Sequence, residues 1–507
     1  MRVRTPTPCV ALACLLAGGV GAAAQGTPSI QPGGIVNLAT YGSGAAVAPG
    51  SIAAVLGSFP VSAPAGAPSE PLPSSLSGLS FQFGANLYAP LFYASGAQAN
   101  VQVPWELAGQ STASVMAAIG GQTSAPQTVN LATYAPGIFA TNGQGTGQGA
   151  IIDNSTYTLV DASNPATAGS TYIEIYCTGL GPVTNQPATG APAPSSPPFA
   201  TTTMAPTVTI GGVAAPALFA GLAPGFVGLY QVDVQVPATV SPGSAVPVAI
   251  SIGGAVSNTV TIAVQTLVFS DEFNGAAGSL PNPATWTYDL GGGGWGNGEA
   301  EVYTNSPNNV SQDGKGNLAI TVINSNGNYT SARIKTQGLY APQYGKIEAR
   351  IKLPYGQGIW PAFWMLGANM PSVGWPDCGE VDIMENFGAW NNNGGTNNGS
   401  MHGPGYTGTL VGATYTVPGG ALLSADYHVF SIEWSENSIE FFVDGNSYEK
   451  QTPATIPSGT QWVFNAPFFF LLNVAVGGPT TFLGPPDAST VFPQTMLVDY
   501  VRVYALQ

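Results

Sequence analysis

Few charges, abundant turn residues and no sustained helical period predict an all-β chain. Two immunoglobulin-like β-sandwich modules are expected in the first half and a two-sheet jelly roll in the second. Charged residues make up 7% of the 507, against 67 Gly and 44 Pro. Long surface helices need Lys, Glu and Arg, so this balance favours short strands joined by tight turns. Disorder is the other reading of high Gly plus Pro. The 10% of aromatics and the many β-branched runs oppose it. At this length about three domains are expected.

The chain opens with Arg2 and Arg4, then an apolar run from Cys9 to Val20, then Ala22-Ala23-Ala24 before Gln25. That is the pattern of a cleavable export signal over 1–24, and it predicts a secreted protein. A lipid anchor at Cys14 is weaker, because Ala11-Leu12-Ala13 is a poor lipobox and the apolar run continues past it. No later run reaches the ~20 apolar residues of a membrane span. Removing Arg2 and Arg4 leaves 8 basic against 25 acidic residues, a net charge of −17. This weighs strongly against nucleic acid as a partner and, less strongly, against anionic polysaccharide. A neutral substrate and a monomeric chain are expected. Only Cys177 and Cys378 follow the signal, in different predicted domains. They do not make a disulfide framework, and separate buried thiols are expected.

The first half repeats itself. Ala89-Pro90-Leu91-Phe92 leads to Val101-Gln102-Val103-Pro104, and Ala215-Pro216-Ala217-Leu218 leads to Val234-Gln235-Val236-Pro237. Ile119-Gly120-Gly121 matches Ile252-Gly253-Gly254 at the same offset of 133 as the prolines. The runs between are short and β-prone, such as Thr207-Val208-Thr209-Ile210, and are bounded by Gly, Pro and Asn. Several such strands in ~100 residues suggest immunoglobulin-like sandwiches, over 25–140 and 141–265. The Gly-Gly pairs read as hairpin turns. These units resemble tandem modules found at the front of many secreted bacterial proteins, a family with no assigned chemistry. A spacer role is the simpler reading, with carbohydrate or cell-wall binding as the other.

The second unit, 266–507, carries the chemistry. Strand-like runs follow one another at Leu318 to Val322, Ala332 to Lys335, Gly345 to Leu353, Phe430 to Trp434 and Ile439 to Val443, and Asp444-Gly445 is a hairpin signal. Within it, Glu380, Asp382 and Glu385 fall in six residues among apolar neighbours. Strand faces alternate with period 2, so Glu380 and Asp382 share a face while Glu385 has the wrong parity. One extra residue, a β-bulge between Asp382 and Glu385, would return it to that face. Two carboxylates on one surface suit glycoside hydrolysis: one attacks the anomeric carbon, the other protonates the leaving oxygen.

With these acids stand Gly291 to Gly298 with Trp295, Asn297 and Glu299, Ser331-Ala332-Arg333-Ile334, Gly358-Ile359-Trp360-Pro361-Ala362-Phe363-Trp364, and His402-Gly403-Pro404-Gly405-Tyr406. In that order and context they resemble glycoside hydrolase family 16, and within it the laminarinase-like endo-β-1,3-glucanases, with β-1,3-1,4 glucan as a further expected substrate. The resemblance covers essentially all of 267–507 and implies a concanavalin-like jelly roll. It implies Glu380 as nucleophile, Glu385 as general acid/base and Asp382 between them. It further implies substrate contacts at Asn297, Arg333, Trp360, Trp364 and His402, β-glucan as the polysaccharide substrate, and no cofactor for the chemistry. A structural calcium is implied at Glu272, the Gly316 carbonyl and Asp499, where oxygen-only ligands suit the ion. Trp360 and Trp364 should share a face. His428, Trp434 and Trp462 read as structural, and Trp375 and Trp390 lie in the motif region. Two other readings stand beside this one. The Glu-x-Asp-x-x-Glu spacing is shared by agarases and carrageenases, and a non-catalytic glucan-binding or adhesion protein could use the same fold. The latter would be expected to lack the acids, and all three are present.

Overall fold

The computed structural model describes residues 26–389, 394–408 and 411–505. The expected signal segment over 1–24 and Trp390 lie outside them. The chain divides into two compact units, one up to Thr266 and one from Leu267. Among the described residues the α-helix is confined to four residues, Met370–Val373. No helix there is long and apolar enough to cross a membrane.

The first unit is all-β. One antiparallel sheet runs through Ser29–Asn37, Ile52–Ser58, Gln98–Gln102, Leu91–Ala94 and Ala65–Gly66, and a second through Gln127–Asn130, Thr112–Ile119, Ser80–Phe83 and Leu87–Tyr88. Period-2 residues such as Val55, Phe81, Phe83, Val101 and Val115 meet in one core. A second core gathers Ile173, Ile175, Tyr230, Val232, Val248, Ile250 and Ile262 from later strands. The repeated Gly-Gly pairs close equivalent two-residue hairpins. Ile119 pairs with Gln122 and Ile252 with Ala255, with positive φ at Gly120, Gly121, Gly253 and Gly254. Two positive φ in succession are what a type I′ turn needs, and glycine adopts them without strain.

In the second unit two sheets stack over one core, the architecture of a jelly roll. One sheet follows the order Val310–Gln312, Leu318–Ser325, Gln494–Ala505, Gly345–Lys352, His428–Ser435, Ser438–Val443 and Asn446–Gln451, all antiparallel. Asp444 and Gly445, both at positive φ, turn its hairpin between Val443 and Asn446. The other sheet contains Thr287–Asp289 (β1), Arg333–Lys335 (β2), Ile359–Gly367 (β3), Glu380–Glu385 (β4), Thr396–His402 (β5), Gly412–Thr416 (β6) and Phe468–Val476 (β7). Its spatial order is β1-β2-β7-β3-β4-β5-β6. Phe363, Met365, Val381, Met401, Leu472 and Val474 point from it into the core against Ile347, Ala349, Phe430, Ile432 and Val501. The alternate residues make its outer face. Cys177 and Cys378 are both buried and free.

Candidate active site

The acids depend on one break in register. On β3, Trp364 pairs with Asp382, but the next pair is Phe363 with Met384 and then Ala362 with Glu385, so Ile383 is passed over. On the other side, Asp382 pairs with Ser400 and Glu385 with Asn398, three steps of β4 against two of β5. The extra residue turns Glu385 onto the face of Glu380 and Asp382.

Side chains on this face form rows across the strands. One row reads Asp289, Arg333, Asn473, Ala362, Glu385 and Asn398. The next reads Lys335, Leu471, Trp364, Asp382 and Ser400, and a third includes Leu366, Glu380 and His402. At ~4.8 Å per strand the first row spans roughly 24 Å, room for several sugar rings. Ala362, with only a methyl group, stands beside Glu385. Trp360, two residues before it on β3, donates its Nε1–H to Glu385 Oε1 at 2.8 Å.

Around Asp382 the Ser400 hydroxyl donates to Oδ2 at 2.6 Å. His402 Nε2 lies 3.0 Å from the same oxygen and 3.8 Å from Glu380 Oε1. Burial works against a charged His402, but the hydrogen bond and charge of Asp382 outweigh it and raise its proton affinity. Burial pushes Glu380 well above the usual carboxylate range. The charges of Asp382 and Glu385 push the same way, while a Trp375 hydrogen bond and Arg333 pull back. Glu385 is also raised by burial and then by Asp382, with only the neutral donors Trp360 and Ser400 opposing. The two glutamates differ in their surroundings: Asp382 and Glu385 push Glu380 up while Arg333 pulls it back, and Glu385 feels Asp382 with only neutral donors against it. Glu380, Asp382 and Glu385 share one buried face, so the three carboxyls do not all ionise together.

Arg333 lies between two indoles, its Cζ 5.0 Å from the centre of Trp295 and 4.8 Å from that of Trp364. Its Nε is 2.8 Å from Asp289 Oδ2, an ion pair that is not aligned as a hydrogen bond. Trp364 Nε1–H donates to Asn473 Oδ1 at 2.8 Å. Asn297 is exposed and donates to Glu299 Oε1 at 3.0 Å. Trp375 is 52% exposed, and its ring lies 6.5 Å from that of His402. The face thus joins buried carboxyls of raised proton affinity and aromatic surfaces, the equipment for acid-assisted displacement at a sugar carbon.

Residues 297–470 match the family model described as Glycosyl hydrolases family 16. A Beta-glucanase of Rhodothermus marinus is 39% identical over 250 residues, covering 47% of this chain and 84% of that protein. The chain belongs to glycosyl hydrolase family 16. A Glucan endo-1,3-beta-glucosidase A1 of Niallia circulans is 36% identical over 272 residues, 48% of this chain and 39% of that longer protein. The laminarinase catalytic domain of Thermotoga maritima is 44% identical, covering 48% of this chain and 99% of that one, with a TM-score of 0.44.

This family 16 unit brings Arg333, Trp360, Trp364 and His402 onto the face of the three acids, with Asn297 on the loop that follows Trp295. The calcium set fares differently. Both carboxylate oxygens of Glu272 accept from Arg502, from Nε at 2.9 Å and Nη2 at 2.8 Å. Asp499 Oδ2 accepts from Arg350 Nη1 at 2.5 Å. Guanidinium groups already neutralise these acids, so Glu272 and Asp499 with Gly316 do not fit a cation as carboxylate ligands. Among the described residues, the grouping of His and carboxylate closest to a metal set is Glu380, Asp382 and His402. Its hydrogen bonds suit proton chemistry.

Sequence reasoning missed Ser400, Asn473 and Asp289. Ser400 shares the parity of His402, and Asn473 is the one polar residue of a fully buried strand, Phe468–Val476. Both signals were available. Asp289 has none, because only the fold brings β1 beside Arg333.

Proposed function

We propose that this chain is a secreted endo-β-1,3-glucanase that hydrolyses β-glucan by double displacement with retention. The observation that carries this reading is the bulge at Ile383, which sets Glu380, Asp382 and Glu385 on one aromatic-lined face. Glu380 attacks the anomeric carbon as Glu385 gives its proton to the leaving oxygen, forming a glycosyl-enzyme ester. Glu385, now a carboxylate, takes a proton from water, and the water oxygen displaces Glu380. Asp382, held by Ser400 and His402, keeps the array ordered. Trp360 orients the acid. The names printed for the relatives support a glucan substrate and a β-1,3 bond. A net charge of −15, or −17 after export, suits a neutral glucan better than a sulfated galactan.

The modules at 25–140 and 141–265 are read as immunoglobulin-like spacers that follow an export signal at 1–24. Reducing ends released from laminarin, lichenan, agarose and κ-carrageenan, measured in parallel, test the assignment. Laminarin should be cleaved fastest, and Glu380→Gln should abolish cleavage while keeping glucan binding. Turnover retained by that variant would overturn the roles of the two glutamates.

A further inference from the structure

Below the Asn297 loop lies a carboxyl pair that the mechanism above does not use. Glu301 is 1% exposed. Its Oε2 accepts the Val476 N–H at 2.7 Å. Its Oε1 is buried without a well-aligned hydrogen bond, and the Tyr303 hydroxyl lies near the carboxyl as its one side-chain donor. A carboxylate oxygen in that condition is costly, whereas a carboxylic acid can donate its own proton to a neighbour. The neighbour is Glu299, two residues earlier, whose carboxyl acts on that of Glu301 at close range. Glu299 Oε1 accepts from the Asn297 amide at 3.0 Å, and its Oε2 accepts from the Tyr303 hydroxyl at 3.3 Å. The buried Tyr303 hydroxyl accepts from Asn473 Nδ2 at 3.1 Å, and Asn473 in turn holds the Trp364 indole. A line of hydrogen bonds thus runs from Glu301 to two of the expected sugar contacts, Asn297 and Trp364.

The ionisable groups facing this pair are few. Tyr303 comes from the same strand, and Tyr329 pairs with Glu301 on the adjacent strand. Arg333 comes from β2, where it is paired with Asp289. From β7 only the Val476 N–H reaches Glu301. No cation among the described residues pairs with Glu301. Burial, then the hydrogen bond and charge of Glu299, push it up to about 8.

We propose that Glu301 is a positioning residue: as a neutral acid it donates a hydrogen bond to Glu299 and so fixes Asn297, Tyr303 and the Trp364 platform for sugar binding. Losing that proton sets two carboxylates against each other beneath the loop. Glu299 is repelled, Asn297 and Tyr303 lose their acceptor, and the sugar is bound less tightly. Glu380 and Glu385 keep their own titrations. The inference uses the glucanase reading for its assay.

The test compares KM and kcat on laminarin for the full-length wild type and Glu301→Gln from pH 6 to 9. Glutamine offers Glu299 an N–H at every pH. Wild-type KM should rise about fivefold between pH 8 and 9, while that of Glu301→Gln stays level, and kcat should follow the same profile in both. Glu299→Gln, which removes the repelling charge, should show a higher but level KM; it serves as the second variant if Glu301→Gln misfolds. A wild-type KM that stays flat to pH 9, or a rise that persists in the glutamine variants, overturns the proposal. A wild type that cleaves no glucan at any pH refutes the function reading instead, and this inference falls with it.

Discussion

Trp360→Phe isolates one hydrogen bond to the acid. In the wild type the Nε1–H of Trp360 reaches Glu385 Oε1 at 2.8 Å. A donor aimed at a carboxylate stabilises the ionised form, so this bond opposes the burial that keeps Glu385 protonated. Phenylalanine preserves a ring against Phe387 and Phe482, which pack edge-on to Trp360 at 5.8 and 5.2 Å between centres. It removes the donor. A hydrogen bond to a charged group contributes about 1.5–3 kcal/mol, or roughly one to two pKa units at 1.36 kcal/mol each. The pKa of Glu385 should rise further, so the protonated acid persists to higher pH. The alkaline limb of kcat/KM, which reports the acid in the free enzyme, should shift upward by about one unit. The maximal rate should fall about tenfold, because the carboxyl is no longer held in one orientation. The assay is reducing-end release from laminarin at low substrate across the pH range, with folding checked by circular dichroism. An alkaline limb that stays in place, or moves down, in a folded variant would show that Trp360 does not set the proton affinity of Glu385.

Three further outcomes are expected. Ser400→Ala removes the donor to Asp382 Oδ2 and should lower kcat on laminarin by roughly 10- to 100-fold with little change in melting temperature. In the first unit, Asp233 is pushed up to about 7 by burial, against the Gln231 hydrogen bond and with the charge of Glu174 directly across the strand pair. Its folded pKa exceeds its unfolded value, so its contribution to stability is full below about pH 4 and is lost as pH rises through 7. Asp233→Asn should remove that dependence, seen by calorimetry as a melting temperature that falls less between pH 5 and 8, with a gain of up to about 4 kcal/mol at pH 8. Arg502→Met breaks the two bonds to Glu272 and the stack on Tyr500. Both partners are about a third exposed, so the loss should be about 1 kcal/mol or less, a shift of a few degrees at low salt that shrinks at high salt.

The acid strand was legible because parity is a strict rule. Glu385 could share the face of Glu380 only through an extra residue, and the pairing of Ala362 with Glu385 shows where it sits. Parity also put Trp360 and Trp364 together. The neighbours of the acids were less legible, because β7 comes late in the chain but inserts between β2 and β3. That insertion brings Asn473 between Arg333 and Ala362, and no local pattern announces it. The stacking of Arg333 between Trp295 and Trp364 depends on the same long-range closure. The calcium set is without support for a related reason. Glu272 and Asp499 read as free acids until the fold brings Arg502 and Arg350 against them. Glu301 was invisible as a titrating group, since only burial under the Asn297 loop gives it a proton to hold.

Proton NMR of the first product formed from laminarin reads both cleavage and stereochemistry at the bulged acid strand, and so puts double displacement by Glu380 and Glu385 to a direct test. The new reducing end should appear first as the β-anomer and mutarotate afterwards, with no signal from Glu380→Gln. An α-anomer at the earliest time, or product from Glu380→Gln, would contradict that mechanism.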